Sequence, residues 1–460
     1  MQHSANEEGE NTILLRPILH TGKEFYFTTA FLLILVLWAV YAWIYQLRLG
    51  LGTTGMNRPV TWGFYITNFV FFIGISHAGT LISAILRLCR AEWRRSITRA
   101  AEVITVIVLF IGAANIIIDL GRPDRVLYVF LHGKLGSPLL WDVISISTYL
   151  VASSIYLLLP LIPDAAFLRD RLKKRKLLYR LVSMGWTGSD KQKRRLHVAI
   201  AFMAVIVVPI AISVHTVVSW VFSMTIQPMW HSTIFGPYFV VGAIFSGIAA
   251  IIIAMAIIRK VYHLEDYLRP VHFNNLGLLL LTMTLLWLYF TLAEHLTIFY
   301  GGEPHEMEVF YAKFSGRFAI YFWAMVLFNF IIPFPILAIR KTRTIPGIVI
   351  ASSFIIIGMW LERFTIVIPT LVNPRVPVEY NIYNPTWVEW SLMVGCFAAF
   401  ILIYMLFTKF FPIISLWEIK EGRSVAVKET SERIETYWPK LNATPATVES
   451  TIPSIKTRLE

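Results

Sequence analysis

The chain has 460 residues, of which 57% are hydrophobic and only 15% charged, with a formal net charge of +13. Soluble domains are nearer half apolar and a quarter charged, so this composition excludes an ordinary soluble enzyme and points to a membrane protein. The excess of positive charge would suit a nucleic-acid binder, but its placement along the chain argues against that class.

The N-terminal segment, 1–24, opens with MQHSANEEGENT and is expected to be cytoplasmic. It lacks the basic start, short apolar stretch and small-residue end of a secretory signal. Ten apolar runs follow, at 25–47, 62–86, 101–120, 138–162, 197–223, 233–258, 273–300, 318–339, 345–371 and 385–411. Each approaches the roughly 20 residues that span a bilayer as a helix. Period-2 alternation is scarce, which argues against a barrel. Trp38, Trp62, Trp141, Trp220, Trp230 and Trp387 fall near run ends, where interface anchors belong. One long basic loop, 163–196, interrupts the membrane block 25–411, with a surface-lying amphipathic stretch expected at 166–183. The polar tail, 412–460, is expected to be cytoplasmic and partly ordered at most.

Lys and Arg crowd every second loop: Arg87 to Arg99 after the second run, 169–176 and 191–195 after the fourth, Arg259 to Arg269 after the sixth, and Arg340 to Arg343 after the eighth. This positive-inside bias predicts cytoplasmic N- and C-termini, and an even number of spans agrees. The same loops are expected to contact lipid headgroups and no nucleic acid. The two cysteines, Cys89 and Cys396, form no CxxC, so neither a disulfide framework nor a cysteine-bound iron–sulfur cluster follows from this chain. No Walker loop and no GxGxxG after a strand is present.

Ionisable residues inside apolar spans are costly and stand as functional candidates. His77 lies at mid-depth in the second span. Asp119, Asp142, His215, Glu294, His295, Glu362 and Arg363 lie toward the outer ends of theirs. Helical spacing gives several of them polar neighbours, as with Thr80 beside His77 and Ser219 beside His215. Gly74, Ala78, Gly79 and Ser83 permit close helix approach around His77, which turns it toward the bundle. Each also has a structural reading: His77 as a neutral interhelical hydrogen-bond partner, Asp119 as a helix-end partner of Arg122 or Arg125, Asp142 at a helix N-terminus, and Glu362 or Arg363 paired to other helices. Three chemistries remain open from the residues alone. They are a quinone pocket with a proton relay from His77 through Asp119, bis-histidine haem on His77 and His215, and an ion or solute pathway along Glu294, Glu362 and Arg363.

The stretches WGFYITNFVFFIGISHAGTLISAIL (62–86), IIIDLGRPDRV (116–126), SPLLWD (137–142) and GMWLERF (358–364) resemble the NrfD-like family of polysulfide-reductase membrane subunits. Within that family they come closest to the ActC quinol-binding subunits of bacterial alternative complex III. The resemblance implies an all-α polytopic protein of ten transmembrane helices in the bacterial cytoplasmic membrane. Spans 2–5 and 6–9 would form two four-helix bundles beside two peripheral helices. It implies a subunit of a quinol-oxidising complex that binds menaquinol near the periplasmic side and holds no haem or iron–sulfur cluster itself. Electrons would pass to an iron–sulfur subunit and then to cytochrome c subunits, with a sister NrfD-like subunit alongside and protons released or translocated. His77 and Asp119 would be quinol ligands or proton acceptors, with Arg122 and Asp142 in the same site. Glu294, His295, Glu362, Arg363 and His215 would line a proton path. The alternatives are a quinone-reducing anchor of a molybdoenzyme and an ion-translocating subunit without redox chemistry.

Overall fold

A computed structural model describes residues 14–172, 174–376 and 381–437, so the expectations for 1–13 and 438–460 lie outside the described residues. Ten helices among them are long and apolar enough to cross a membrane. They are α1 (Lys23–Leu49), α2 (Phe64–Leu88), α3 (Thr98–Asp119), α4 (Pro138–Arg171), α5 (Asp190–Ser223), α6 (Phe235–Val261), α7 (Pro270–Gly301), α8 (Ala319–Ala338), α9 (Ile345–Val372) and α10 (Trp387–Phe410). The protein is all-α, without a strand among the described residues.

Local chemistry sets the helix starts. Ser189 accepts from the Gln192 amide at α5, and Thr344 accepts from the Gly347 amide at α9. Thr386 and Glu389 form a reciprocal capping box at α10. In α8 the run breaks: Ala319–Val326 is α-helical, Leu327–Ile331 forms a π turn, and Pro333–Ala338 resumes the helix. Pro333 and Pro335 have no amide hydrogen to return to the preceding turn, which accounts for the break. Pro160, Pro163, Pro209 and Pro369, by contrast, sit inside continuous helices. As a result α4 runs nine residues beyond the apolar run that ends at 162, to Arg171.

Packing arranges the helices around α2, which is buried along 89% of its most apolar stretch, whereas α1 is buried along 17%. Helices α2, α3, α4 and α5 pack in a ring, each against the next and α5 back against α2. Helices α6, α7, α8 and α9 form a second ring, and α2 joins the two by packing on α6 and α9. Helices α1 and α10 pair outside, with α10 against α3. Small residues permit the close contacts. A Cβ on Gly79 would collide with the Ala101 carbonyl oxygen of α3, and one on Gly247 would collide with the Ala78 Cβ. A polar helix, α11 (Leu416–Tyr437), follows α10. Its first turn is bound to the ends of α2, α3 and α4 that carry the basic loops, here termed the basic face.

Candidate functional site

The site begins with His77, fully buried on α2. Its Nδ1 faces the Ile73 carbonyl of its own helix at 2.8 Å, and its Nε2 faces the Ala211 carbonyl of α5 at 2.7 Å. A neutral imidazole has one N–H and can donate to only one of these carbonyls; the protonated ring donates to both. Tyr149 of α4 packs on one side, with ring centroids 5.0 Å apart, and donates to the Ser76 carbonyl at 3.1 Å.

His215 of α5 packs on the other side, its ring centroid 3.8 Å from that of His77. It is fully buried, and neither of its ring nitrogens has a hydrogen-bond partner. Rings this close leave no space for an iron between them, and both His77 nitrogens are already engaged. The pair therefore does not suit bis-histidine haem ligation.

Beyond His215 the line continues into the second ring. Arg363 and Glu362 of α9 are both fully buried, and their long side chains fold to the same side despite being adjacent, 3.5 Å apart. The guanidinium lies over the Phe239 ring at 4.7 Å, and its charge acts on both imidazoles. Gly242 makes room for it: a Cβ there would sit 2.6 Å from Arg363 Nη2. The Trp287 indole donates to Glu362 Oε1 at 2.7 Å, while Oε2 and both Arg363 terminal nitrogens lack hydrogen-bond partners. Tyr238 stands near Glu362, and the Thr291 hydroxyl donates to Tyr238 at 3.3 Å.

Tyr238 in turn lines a small cavity in the half of the second ring away from the basic face. It measures about 20 Å³ to water centres, room for about one water. Glu294, His295 and Lys313 line it, among Trp230, Phe235 and Phe322. His295 Nδ1 donates to the Thr291 carbonyl at 2.8 Å, and its Nε2 has no partner. Glu294 is buried with neither oxygen well bonded, although the Ser232 hydroxyl approaches it. Lys313, on the short helix Pro304–Phe314, is buried and its amine is pushed down to about 8 by burial, against the pull of Glu294.

Buried polar atoms without partners cost about 1–3 kcal/mol each, so their concentration along this line singles it out as the candidate site. The structure thus joins His77 to His215 directly, brings Arg363 and Glu362 near them across the Phe239 ring, and reaches His295 through Tyr238 and Thr291, with Glu294 in the same cavity lining. The other three candidates stand apart. Asp119 ends α3, half-buried toward the peripheral pair, with Tyr65 and Glu389 near it and its Oδ1 unpartnered. Asp142 is buried near the start of α4, again with Oδ1 unpartnered. Arg122 is exposed and pairs with Asp124 at 3.4 Å rather than with Asp119. Sequence reasoning missed Glu102, Tyr149, Tyr238 and Lys313. Glu102 stood in plain view as the single carboxylate of AAEVITVIVLF.

The model of the family described as polysulphide reductase, NrfD, matches residues 52–374. An Hdr-like menaquinol oxidoreductase integral membrane subunit of Archaeoglobus fulgidus is 25% identical, covering 85% of this chain and 95% of its own length. The menaquinone reductase integral membrane subunit of Nitratidesulfovibrio vulgaris is 23% identical over 83% of this chain and 90% of its own. A putative dimethyl sulfoxide reductase membrane subunit of Halobacterium salinarum is 24% identical over 88% and 95%. With the matched segment reaching from the start of α2 to the end of α9, and so enclosing both rings and the buried line between them, the chain belongs to the NrfD family of polysulphide reductase membrane subunits.

Proposed function

We propose that this chain is the quinone-reactive membrane subunit of a multi-subunit oxidoreductase of the bacterial cytoplasmic membrane, oxidising menaquinol and carrying its protons. The observation that carries the reading is the pair His77–His215. Quinol oxidation gives up two electrons and two protons, so it needs a buried acceptor. His215 offers two unbonded nitrogens. His77 completes its hydrogen bonds to two carbonyls only when protonated. From the pair, Arg363, Glu362 and Tyr238 lead to the cavity at Glu294 and His295. That cavity lies on the face away from the basic loops, which positive-inside logic makes the periplasmic one.

Asp119 and Asp142, each with an orphan oxygen at the same face, are the proposed acceptors nearer the surface, with Arg122 at the mouth. Menaquinol is proposed as substrate because two relatives are named for it. Electrons go to an iron–sulfur partner on the periplasmic side and on to cytochrome c subunits, as the resemblance to alternative complex III implies. The membrane part is completed by a sister NrfD-like protein. The relative named as a menaquinone reductase supports the reverse direction with the same groups, the partner's potential deciding. The relative named for dimethyl sulfoxide reductase supports a molybdoenzyme partner in place of cytochromes.

The test is fluorescence titration of a quinol-analogue inhibitor into the purified complex. His77→Ala and His215→Ala are each expected to weaken binding at least about tenfold, roughly 1.4 kcal/mol. Unchanged affinity in both variants overturns the site.

A further inference from the structure

The start of α5 carries a groove that faces away from both rings, and the quinone reading makes no use of it. Leu196, Ile200, Ala204 and Val207 form the inner face of this end of α5 and are buried. Lys191, Arg194, Arg195, Val198, Ala199 and Phe202 lie on the opposite side and line one open groove. Their spacing of i, i+3, i+4, i+7, i+8 and i+11 keeps them on one stripe of the helix. The stripe is divided by depth. Its three cations fall within about 6 Å of helix axis, and its three apolar residues begin about 4.5 Å beyond Arg195 and occupy about 6 Å more.

The charge of this stripe is uncompensated. Lys193 pairs with Asp190 at 3.2 Å, and His197 pairs with Glu421 of α11 at 3.2 Å. Lys191, Arg194 and Arg195 form no ion pair among the described residues. They also stand in the first turns of α5, at the positive end of the helix dipole, where a cation is disfavoured and an anion favoured. The apolar half lacks cover too. Val198 is 64% and Phe202 63% exposed, and Val205 and Ile212 continue the exposed face toward the middle of the span. Helix α5 is buried along only 28% of its most apolar stretch.

We propose that this groove binds one anionic phospholipid from the leaflet at the basic face. Its phosphate oxygens accept from Lys191, Arg194 and Arg195, and an acyl chain lies along Val198, Ala199 and Phe202. This is more specific than the general attraction of basic loops for headgroups, because one stripe supplies both halves of the ligand's chemistry at successive depths. Side chains on a helix lean toward its N-terminus, so the three cations reach outward to the headgroup level while their stems cover apolar surface. The guanidinium forks of Arg194 and Arg195 match pairs of phosphate oxygens. A free phosphate would satisfy the cations and leave the apolar half bare. A zwitterionic lipid would bring a further cation against three. A soluble acidic protein would meet the cations but not Phe202, which lies five residues inside the apolar run that begins at 197.

The experiment uses the whole complex, delipidated and placed in phosphatidylcholine nanodiscs with a phosphatidylglycerol probe that carries a diazirine in its acyl chain. Irradiation is expected to label α5 between 196 and 205, located by peptide mass spectrometry. The triple variant Lys191→Gln, Arg194→Gln, Arg195→Gln is expected to lower this labelling about tenfold or more, since each cation near an anionic lipid surface contributes several-fold. Arg194→Gln alone, expected to lower it about threefold, serves if the triple variant does not assemble. Arg340→Gln, Lys341→Gln, on the exposed α8–α9 loop of the same face, is expected to leave it unchanged. Unlabelled phosphatidylglycerol is expected to compete, and inorganic phosphate at equal ionic strength to chloride is not. Full labelling in the α5 variants overturns the site, as does an equal loss in the loop variant. Displacement by inorganic phosphate and not by phosphatidylglycerol overturns the lipid assignment. Absence of labelling in the wild type overturns it as well, and assigns the face to a neighbouring subunit. An unchanged size-exclusion profile shows that each variant complex is intact.

Discussion

At the scale of single residues, burial has opposite consequences for groups that look alike in the sequence. His77 was legible because a lone histidine in an otherwise hydrocarbon run has few uses, and the small residues around it turned it inward. Its neighbour His215 carries the free nitrogens, and no spacing within α5 announces that. Lys313 was invisible: the short helix it sits on has mixed polarity, and only the fold brings it to the same cavity as Trp230 and Glu294. Its amine, pushed down to about 8 from an ordinary value of 10.5, makes a sharp prediction. A base whose pKa falls on folding binds fewer protons folded than unfolded between those two values. Stability therefore rises with pH across about 8 to 10.5, and the cost of burying the charge is fully present below 8. The span corresponds to about 3 kcal/mol. In Lys313→Met the melting temperature of the complex is expected to lose this rise, read by thermal denaturation at pH 7, 8, 9 and 10. A rise of equal size in the variant would assign the effect to another group.

At the scale of helices, the apolar runs and the basic loops were enough to place ten elements, because spanning length and loop charge are properties of a segment alone. What a segment does not carry is its neighbours. Helix α4 passes through Pro160 and Pro163 because other elements tie down its end: the Pro160 carbonyl accepts from Arg99 of α3 at 2.8 Å. Helix α8, with Pro333 and Pro335, gains a π turn instead. The glycines separate two kinds of tight contact. At Gly79 a Cβ would strike the Ala101 backbone oxygen, and backbone cannot move aside cheaply. Gly79→Val is expected to cost about 3 kcal/mol or more and to abolish assembly, judged by the yield of intact complex on size exclusion. At Gly242 the obstacle is the flexible end of Arg363, 2.6 Å away. Gly242→Ala is expected to assemble normally and to lower quinol turnover about tenfold by displacing the guanidinium. Full turnover in Gly242→Ala would show that Arg363 is not needed where it sits.

At the scale of the molecule, α2 joins two helical rings, and His77 on that helix heads the buried polar groups that run into the second ring, while Asp119 and Asp142 stand apart. Helix α11 is fastened to the basic face. Its order was not legible, since the tail is polar and its anchors lie more than 200 residues away in the chain. Asp164, buried on α4, accepts from the Leu416 and Trp417 amides at 3.2 and 2.9 Å and pairs with Arg99. It is in effect the N-cap of α11, supplied from another helix, and it satisfies donors that the α11 start cannot satisfy itself. Removing the charge leaves Arg99 buried without its carboxylate, a loss of about 3–5 kcal/mol for a pair of this kind. Because the same carboxylate holds α11, the damage should appear first as release of the tail rather than as collapse of the rings. Asp164→Asn is therefore expected to expose the chain after Leu416 to limited trypsin digestion at concentrations that leave the wild-type tail intact. The quinol-analogue affinity, set at His77 and His215 deep in the rings, should stay unchanged. Tail cleavage at the wild-type rate would mean that the pairing of Glu418 with Arg87 and Arg94 alone holds α11, and that Asp164 serves only the charge of Arg99.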